Sequence, residues 1–396
     1  MINSDFNQKI TLSLSFLILN NYFLLSVNSP LIFIKVNLLI FFSVLFLFYF
    51  KDFKENIYLK IFILVIIFIS LGTPTYEWDP RSIWLFHGKR IFYDGTIFSV
   101  KDNYAAFSHN DYPNLIPSLS SSLATLVGNW NEVFPKIAFT LAFIPPLILT
   151  YVFIRDTYYI IFLSLVLFIV GKYLFSGWAD GLLAVYFTLS SLLFYIIFFS
   201  NLYNYKNNYL TNLIGICFII TLTLIKNEGF VLALIIFAST FIIKLLNKNL
   251  KKNIKKLLIL SFSFIPIILW KYFCFLNGIE NDYINSNFFV NLLPRISDFE
   301  NIKLIGYFIF LNEKFLISLV FLSIVFWIKK NSNLLIYVFT INLLYILIIS
   351  LIFLATPVDF YFQLDSAAAR IVKSINFCLA FFALYNLNAK NVQLSK

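Results

Sequence analysis

A carboxylate and a guanidinium, Asp79 and Arg81, lie in the stretch WDPRSIW, shortly after an apolar run that ends near residue 73. If the apolar run crosses a membrane, a carboxylate just after it would lie at the membrane surface, where a lipid-linked substrate presents its head group. The alternative is an interfacial anchor, in which the charged side chains snorkel to water beside a belt of tryptophans. Both alternatives place the pair at a membrane surface.

A second motif, SHNDYPNLIP, combines an imidazole, a carboxylate and a phenol in His109, Asp111 and Tyr112. His109 is one of only two histidines in the chain, and the following Pro113 predicts a rigid turn. These side chains could bind a substrate or a cation, or they could form an ordinary loop turn. A metal site would need further ligands at suitable spacing, so a divalent cation remains an alternative without a complete ligand set.

Ionisable residues also interrupt the apolar sequence at two short connections. Asp180 lies in SGWADGLLAVYF, and Lys226 and Glu228 lie in LIKNEGFVLAL, where two apolar segments meet with almost no loop. Deep in a membrane a charged group costs about 2.5 to 3.5 kcal/mol, so such groups usually pair or serve a substrate. The alternatives are an N-terminal helix cap for Asp180 and a self-neutralising pair of Lys226 and Glu228.

A single arginine, Arg370, ends the polar stretch LATPVDFYFQLDSAAARIV before the last apolar segment. It would lie at the boundary of water and lipid, at the height of a lipid phosphate. A guanidinium keeps its charge and can contact a phosphate through two parallel hydrogen bonds, so Arg370 is a candidate phosphate ligand. An ordinary interfacial arginine is the alternative.

The elements that position these residues follow from an extreme composition, since 60% of the 396 residues are hydrophobic and 12% are charged. No soluble core could bury so much apolar surface, so we predict an all-α polytopic membrane protein in contact with lipid. The net charge of +11 comes largely from lysines in short loops, which indicates membrane orientation rather than nucleic-acid binding. The three cysteines show no paired spacing, so we expect neither a disulfide nor a cysteine metal site.

Apolar segments predict a single transmembrane domain over residues 1–396, with about twelve spans and both termini on one side. The lysine-rich loops at 51–56, 247–256 and 329–330 would then face the cytoplasm, and the ionisable motifs would face the opposite side. The predicted spans are 9–26, 31–50, 57–73, 134–154, 158–175, 181–200, 209–225, 229–246, 256–276, 304–328, 333–354 and 371–388.

The segment 74–133 is predicted to form a large first extracytoplasmic loop, whose amphipathic interfacial helices would cover the site and exclude water. Within it, residues 114–130 are apolar but carry four serines and Pro117, so we interpret them as an interfacial or re-entrant helix. A second extracytoplasmic loop is predicted over 277–303. We expect a bacterial inner (plasma) membrane, with the site facing the periplasm or the exterior.

The motifs occur in a defined order: WD-x-x-SIW after an early span, H-x-DYP, G-x-AD, KNEG, and TP-x-D followed by S-x-x-x-R before the last span. In this order they resemble the GT-C class of integral-membrane glycosyltransferases. The similarity is closest to the bacterial branch related to protein mannosyltransferases and lipid A aminoarabinose transferases, and it runs from about residue 75 to residue 372. One departure is Phe362-Gln363-Leu364, where the family pattern leads us to expect Trp-His-Leu.

The resemblance implies a GT-C-type bundle that transfers a sugar from a polyprenyl-phosphate donor to a lipid, glycan or protein acceptor. In such enzymes an aspartate early in the first external loop is the catalytic base, and Asp79 matches that position. Cleavage beside a lipid phosphate also needs cations to hold the leaving group, so we assign Arg370, Lys226 and Arg81 to the donor phosphate. The residues then assigned to substrate or cation binding are His109, Asp111, Tyr112, Asp180 and Glu228.

A single carboxylate that acts through the acceptor predicts inversion at the anomeric carbon. A polymerase or ligase of lipid-linked glycans is a first rival, but it would be expected to carry its largest external loop late in the chain. A transporter or flippase of a lipid-linked or anionic substrate is a second rival. It should place ionisable residues near the middle of the membrane and show discontinuous helices in repeated halves. A non-catalytic scaffold would give no reason for these charges to share one face.

Overall fold

The computed structural model describes residues 2–51, 57–75, 77–100, 105–199, 208–281 and 288–394. This described part is helical almost throughout and contains no strand. The all-α prediction is therefore confirmed for it, and a helix is the expected choice because it satisfies its own backbone hydrogen bonds in apolar surroundings. Most of the predicted loop 51–56 and part of the predicted loop 277–303 lie outside the described residues.

The helices follow one another with short connections. The α-helices are α1 (Ile2–Ser26), α2 (Leu31–Phe50), α3 (Ile57–Gly72), α4 (Leu85–Asp94), α5 (Leu115–Val127), α6 (Ile137–Phe153), α7 (Asp156–Ile169), α8 (Ala179–Phe199), α9 (Asn208–Ile225), α10 (Asn227–Leu246), α11 (Leu250–Ser261), α12 (Ile265–Leu276), α13 (Phe288–Ser297), α14 (Phe299–Phe310), α15 (Glu313–Lys329), α16 (Ser332–Ala355) and α17 (Phe360–Leu394). A π-helical turn spans Pro80–Trp84, and 3₁₀ turns span Ile97–Val100, Ala106–Ser108, Gly171–Leu174 and Phe262–Phe264.

Seven helical segments of the described chain are long and apolar enough to cross a membrane. The membrane character predicted from composition is thus supported by helix length as well. An eighth crossing results if α14 and α15, which meet at an angle of 68°, are counted as one broken span. The seven segments are Asp5–Ser26, Leu31–Phe50, Ala179–Phe199, Asn227–Leu246, Leu250–Leu276, Ser332–Ala355 and Phe360–Asn388.

The remaining predicted spans correspond to shorter helices, so the predicted number of about twelve is not confirmed. α3 has 16 residues, α6 has 17 and α7 has 14. At 1.5 Å per residue these helices reach only about 21 to 26 Å, against a hydrocarbon thickness of about 30 Å. Hydropathy alone could not reveal this, because the sequence around each helix stays apolar where the helix has already ended.

The predicted interfacial or re-entrant helix at 114–130 is α5, and it lies inside the bundle. Residues 115–125 are all buried, and α5 contacts α1, α2, α4, α6 and α9. Ser122 is hydrogen-bonded inside the bundle, since Asn21 donates a 2.8 Å hydrogen bond to Ser122 Oγ and Ser122 donates to the carbonyl of Ser118. The helix α5 is therefore packed inside the bundle, and its interfacial or re-entrant position in a membrane stays a prediction.

The helix α4 packs closely on α5, and a glycine makes this approach possible. A β-carbon at Gly88 would lie 3.2 Å from Ser120 Cβ and 3.3 Å from the carbonyl oxygen of Pro117. These distances are tighter than ordinary contacts, so a larger residue would push α4 away. The part of segment 74–133 that the structure describes is thus a packed layer of the bundle.

The buried helix α8 forms the centre of the bundle, where it packs against α6, α9, α10 and α17. Its first turn carries Asp180, and its last turn meets the lysine-rich region, since Lys256 donates to the carbonyl of Ile197 and Lys244 lies 4.3 Å from the ring centre of Phe199. A helix of 21 residues is about 30 Å long, so acidic and basic groups occupy opposite ends.

Candidate functional site

Five charged side chains form a continuous chain of ion pairs, which we call the charge cluster. Arg370 Nη1 lies 2.6 Å from Asp79 Oδ2 and 3.9 Å from Asp180 Oδ2. Lys226 Nζ lies 3.4 Å from Asp180 Oδ1 and 2.9 Å from Glu228 Oε1. All five residues were predicted site residues, and the structure brings them together although Asp79 and Arg370 are 291 positions apart.

Each member of the cluster comes from a helix end or a helix face that holds it in place. Asp79 precedes the π-helical turn, whose Pro80 suits a first-turn position because that position needs no N–H donor. Asp180 lies in the first turn of α8, where the helix dipole favours a negative charge. Its carboxylate pairs with Lys226 and Arg370, so it does more than cap the helix.

The connection between α9 and α10 supplies Lys226 and Glu228. Lys226 is the extended residue before α10, with φ −160° and ψ 159°. Three residues later the chain passes so close to α9 that a β-carbon at Gly229 would overlap the carbonyl oxygen of Leu222. Glycine is therefore required there, and it keeps both ionisable side chains at the level of Asp180.

The predicted last span, 371–388, begins later in the sequence than the helix that contains it. The helix α17 starts at Phe360, so Arg370 lies within the helix rather than before it. The helical phase places Gln363, Ala367, Arg370 and Ile371 on one face. Ala367 lies four positions after Gln363, and Arg370 and Ile371 lie three and four positions after Ala367. Sequence polarity suggested a loop because Asp359, Gln363 and Asp365 precede the apolar run.

The electrostatics of the cluster depend on burial. Three carboxylates and two cations leave a formal charge of −1, and Asp180 and Lys226 are both buried. Buried charges are stable only when they are paired, because desolvation costs several kcal/mol for each ion. Burial raises the pKa of Asp79, and the nearby Arg370 only partly opposes this. Burial lowers the pKa of Lys226, but Asp180 and Glu228 more than reverse the effect and hold it above its ordinary value.

Arg370 keeps part of its hydrogen-bonding capacity. Its Nε donates to the carbonyl of Ser366 at 3.1 Å, and its Nη1 donates to Asp79. The guanidinium also lies 5.0 Å from the ring centre of Trp178, a favourable cation–π distance. Among the described residues none accepts a hydrogen bond from Nη2, so two donors remain for an anionic ligand.

A cavity of ≈ 340 Å³ opens beside the cluster, and its walls differ in polarity. Asp180, Lys226, Glu228 and Arg370 line the polar end. Apolar side chains of α10, α16 and α17 form much of the remaining wall, including Val231, Ile348, Ile352, Phe353 and Ala367. This arrangement suits a molecule with a charged head and an apolar chain. Gln363, where the family pattern would carry a histidine, also lines the cavity.

Asp111 forms a second buried centre, and the protein itself occupies it. Asn227 Nδ2 and Asn281 Nδ2 each donate to Asp111 Oδ2 at 2.6 Å, and Lys271 Nζ lies 3.3 Å from the same atom. Trp270 Nε1 donates to the Asp111 carbonyl at 3.0 Å. The carboxylate therefore ties the 105–114 segment to α10 and α12 rather than facing the cavity.

Sequence reasoning missed Lys271 and Asn281, although both line the cavity. Lys271 could have been found, since a lone lysine in the apolar run IILWKYFCF is costly in a membrane and indicates a buried partner. Asn281 gave no comparable signal, because an asparagine near a predicted helix end is common.

The structure does not bring Arg81 into the charge cluster, and its predicted contact with the donor phosphate stays a prediction. It is exposed and lines a second cavity with Trp78, Phe86, Phe107 and Glu132. Residues two positions apart on a helix point about 200° apart, so a helical Asp79 and Arg81 face opposite sides.

His109 and Tyr112 lie between the two cavities. Their rings stack at 4.8 Å, and Lys226 Nζ is 5.7 Å from the Tyr112 ring centre. His109 adopts a left-handed backbone conformation with φ 54°, which fits the predicted turn. No group of three or more His, Cys, Asp or Glu side chains within the described ranges is arranged to hold a metal ion.

Comparison with known proteins adds no family assignment. No protein-family model, no curated protein and no solved structure matches this chain. The charge cluster and the two cavities are therefore the basis for any functional conclusion.

Proposed function

We propose that this protein is a polytopic membrane glycosyltransferase of the GT-C type, which transfers a sugar from a polyprenyl-phosphate donor to an acceptor. One observation carries the proposal. Asp79 and Arg370, from distant parts of the chain, meet at 2.6 Å beside the polar end of a largely apolar cavity. This pairing supports the proposal, because a lipid-linked sugar bound in the cavity would present its reactive bond beside a carboxylate and a guanidinium.

We expect the donor to bind in the cavity beside the charge cluster with its phosphate at the polar end. Its phosphate would accept hydrogen bonds from Arg370 Nη2. Lys226, which shares the carboxylate of Asp180 with Arg370, would add positive charge nearby. Its polyprenyl chain would lie against the apolar side chains of α10, α16 and α17. Glu228 and Asp180 then remain as acceptors for sugar hydroxyls at the same end. A ligand site with an apolar wall and a few converging polar groups is the usual arrangement in proteins.

The chemistry requires one base and one site for the departing charge. Asp79 would take the proton of the acceptor group while the acceptor oxygen or nitrogen bonds to the anomeric carbon. The bond from that carbon to the phosphate oxygen breaks, its electron pair stays with the phosphate, and Arg370 stabilises the added charge. A single displacement of this kind inverts the anomeric carbon. The raised pKa of Asp79 makes the carboxylate a stronger base than a free aspartate.

The arrangement of charges supports an extracytoplasmic site in a bacterial inner membrane. Lys244 and Lys256 lie at the end of α8 opposite to Asp180. If that lysine-rich end faces the cytoplasm, as positive residues do in membrane proteins, the charge cluster faces outward. A polyprenyl-linked donor used on that side needs no soluble nucleotide sugar.

A transporter or flippase of a lipid-linked or anionic substrate is the second candidate, and the break between α14 and α15 favours it. Discontinuous helices commonly form transport sites near the middle of the membrane. Here, however, the described ionisable groups of the cluster gather at the starts of α8 and α10 and not at the 68° break. The glycosyltransferase proposal accounts for that position directly.

The test is transfer of radiolabelled sugar in membranes that contain the protein, with a panel of polyprenyl-phosphate sugars as donors. We expect label to leave at least one donor with the native chain and with Asp94→Asn, an exposed control on α4. Asp79→Asn should not support transfer. If the native chain turns over no donor but moves labelled lipid across proteoliposomes, the transporter candidate replaces the proposal.

A further inference from the structure

A second cavity, of ≈ 360 Å³, is lined in part by residues of the helical turn that carries Asp79. Its volume falls within the range of about 300 to 1,000 Å³ that is typical of ligand sites. Trp78 and Arg81, the neighbours of Asp79 in the chain, line it together with Phe107 and Glu132. The ion pairs that form the charge cluster involve none of these four side chains.

The second cavity lies next to the proposed base, Asp79, because Trp78 and Arg81 line it. Asp79 reaches Arg370 at the first cavity, whereas Trp78 and Arg81 on the same helical turn face the second. The turn that carries Asp79 therefore contacts a residue of the donor cavity through Asp79 and lines the second cavity through Trp78 and Arg81. Two substrates that react at one carboxylate need this kind of placement, since proximity and orientation supply much of the rate.

The lining indicates the chemical class of ligand. Trp78 is 51% exposed and Phe107 is 63% exposed, and their ring centres lie 6.4 Å apart with the planes tilted by 52°. Arg81 and Glu132 add a donor and an acceptor at the rim, and neither side chain is paired with another described residue. An aromatic face packs on the apolar C–H face of a sugar ring, and charged side chains bind its hydroxyl groups.

We propose that the second cavity binds a carbohydrate, so that the acceptor is a glycan. A lipid chain would leave Arg81 and Glu132 without partners, and a polyanion would be repelled by Glu132. The acceptor role rests on the proposed function, whereas sugar binding at this cavity does not.

Binding is tested by saturation-transfer NMR on the purified full-length chain in detergent, with tetrasaccharides of glucose, mannose, galactose and N-acetylglucosamine as probes. We expect a signal from at least one sugar with the native chain and with Asp79→Asn. Trp78→Ala should weaken binding by about tenfold because it removes the aromatic face. Trp327→Ala, at an exposed tryptophan on α15, should leave binding unchanged. The proposal is overturned if no sugar binds, if Trp78→Ala binds as the native chain does, or if serine peptides bind at this site instead.

The acceptor role is tested with a donor that the native chain turns over. Trp78→Ala and Arg81→Ala should reduce transfer to the bound sugar by about tenfold or more, with donor hydrolysis unchanged. Arg155→Ala, at an exposed arginine before α7, is the matched control. Equal loss of transfer and hydrolysis would assign Trp78 to the donor side and remove the acceptor role. Failure of every donor would remove the proposed function but would leave the sugar-binding result intact.

Discussion

Asp79 and Asp111 are both aspartates of the 74–133 segment, and both lie beside a lysine or an arginine, yet their surroundings differ. Asp111 is 2% exposed, and two amide groups and a lysine bind one of its carboxylate oxygens. The side chain of Asp79 is 15% exposed and pairs with a single arginine at the edge of a cavity. The protein supplies three donors to one oxygen of the first carboxylate, whereas the second carboxylate is paired with an arginine that lines a cavity.

The difference separates a structural role from a chemical one. A carboxylate that accepts several charge-assisted hydrogen bonds holds its partners in place. A partly desolvated carboxylate with one cation is a better base and can release that cation to a substrate. From the sequence we expected Asp79 to be the catalytic base and Asp111 to bind substrate or a cation, and neither position indicated that other side chains would surround Asp111.

The largest effect is expected at the partner of Asp79. Arg370→Gln removes the cation that would hold the leaving phosphate, so donor turnover should fall by about 100- to 1,000-fold. Arg370→Lys should lose less, because it keeps the charge but not the planar donor geometry. Turnover rates with a labelled donor check the order of the three proteins. Equal rates for native and Arg370→Gln would mean that the phosphate binds elsewhere.

A different outcome is expected at the second aspartate. Asp111→Ala leaves Lys271 and the two amides without their acceptor, which should cost about 2 to 3 kcal/mol of unfolding free energy, since Lys271 is itself partly exposed. Turnover per folded molecule should stay close to native. Thermal unfolding in detergent, followed by tryptophan fluorescence, measures the loss. A stable Asp111→Ala protein without turnover would place Asp111 in the reaction.

The start of α10 serves both centres, because Lys226 and Glu228 join the charge cluster and Asn227 binds Asp111. Gly229→Ala would force α10 away from the Leu222 carbonyl, so stability and donor turnover should both decrease. We expect a turnover loss of about tenfold from a displacement of this size. Gly215→Ala is the control, since a β-carbon there meets its nearest atom at 3.5 Å. An unaffected Gly229→Ala protein would show that the contact is not needed.

The smallest effect concerns pH. A base acts only when it is ionised, so turnover should decline as the pH falls through the pKa of Asp79. Burial raises this pKa, so the decline should be centred above the value of about 3.9 for a free aspartate. Arg370→Lys should keep the decline near its native position, whereas Arg370→Gln should move it to higher pH because a cation no longer lowers the pKa. A pH–rate profile for each protein decides this.

The sequence was informative where polar residues interrupt apolar segments. The five residues of the charge cluster each follow or precede an apolar run. Helices of similar length place their ends at similar depths in a membrane, so residues at these ends lie near one level. Their convergence could therefore be predicted without knowing which helices are neighbours. All-helical structure was predictable for the same reason, since composition leaves few other choices in a membrane.

Contacts across the bundle were not predictable from one sequence. Lys271 meets Asp111 across 160 positions, and no local pattern pairs the two. The separation of Arg81 from the charge cluster was not predictable either, because a two-residue spacing means opposite faces on a helix but adjacent groups in a loop. Short helices such as α7 were counted as spans because hydropathy does not mark where an apolar helix stops.

The central claim is that Asp79 acts in the chemical step while Arg370 binds the donor. The most direct test measures donor affinity and single-turnover rate together, in purified Asp79→Asn and native protein. We expect donor affinity to stay within about threefold of native while the rate falls by about 100- to 10,000-fold, the usual range for a lost general base. A rate close to native, or a loss of rate fully explained by weaker donor binding, would contradict the claim.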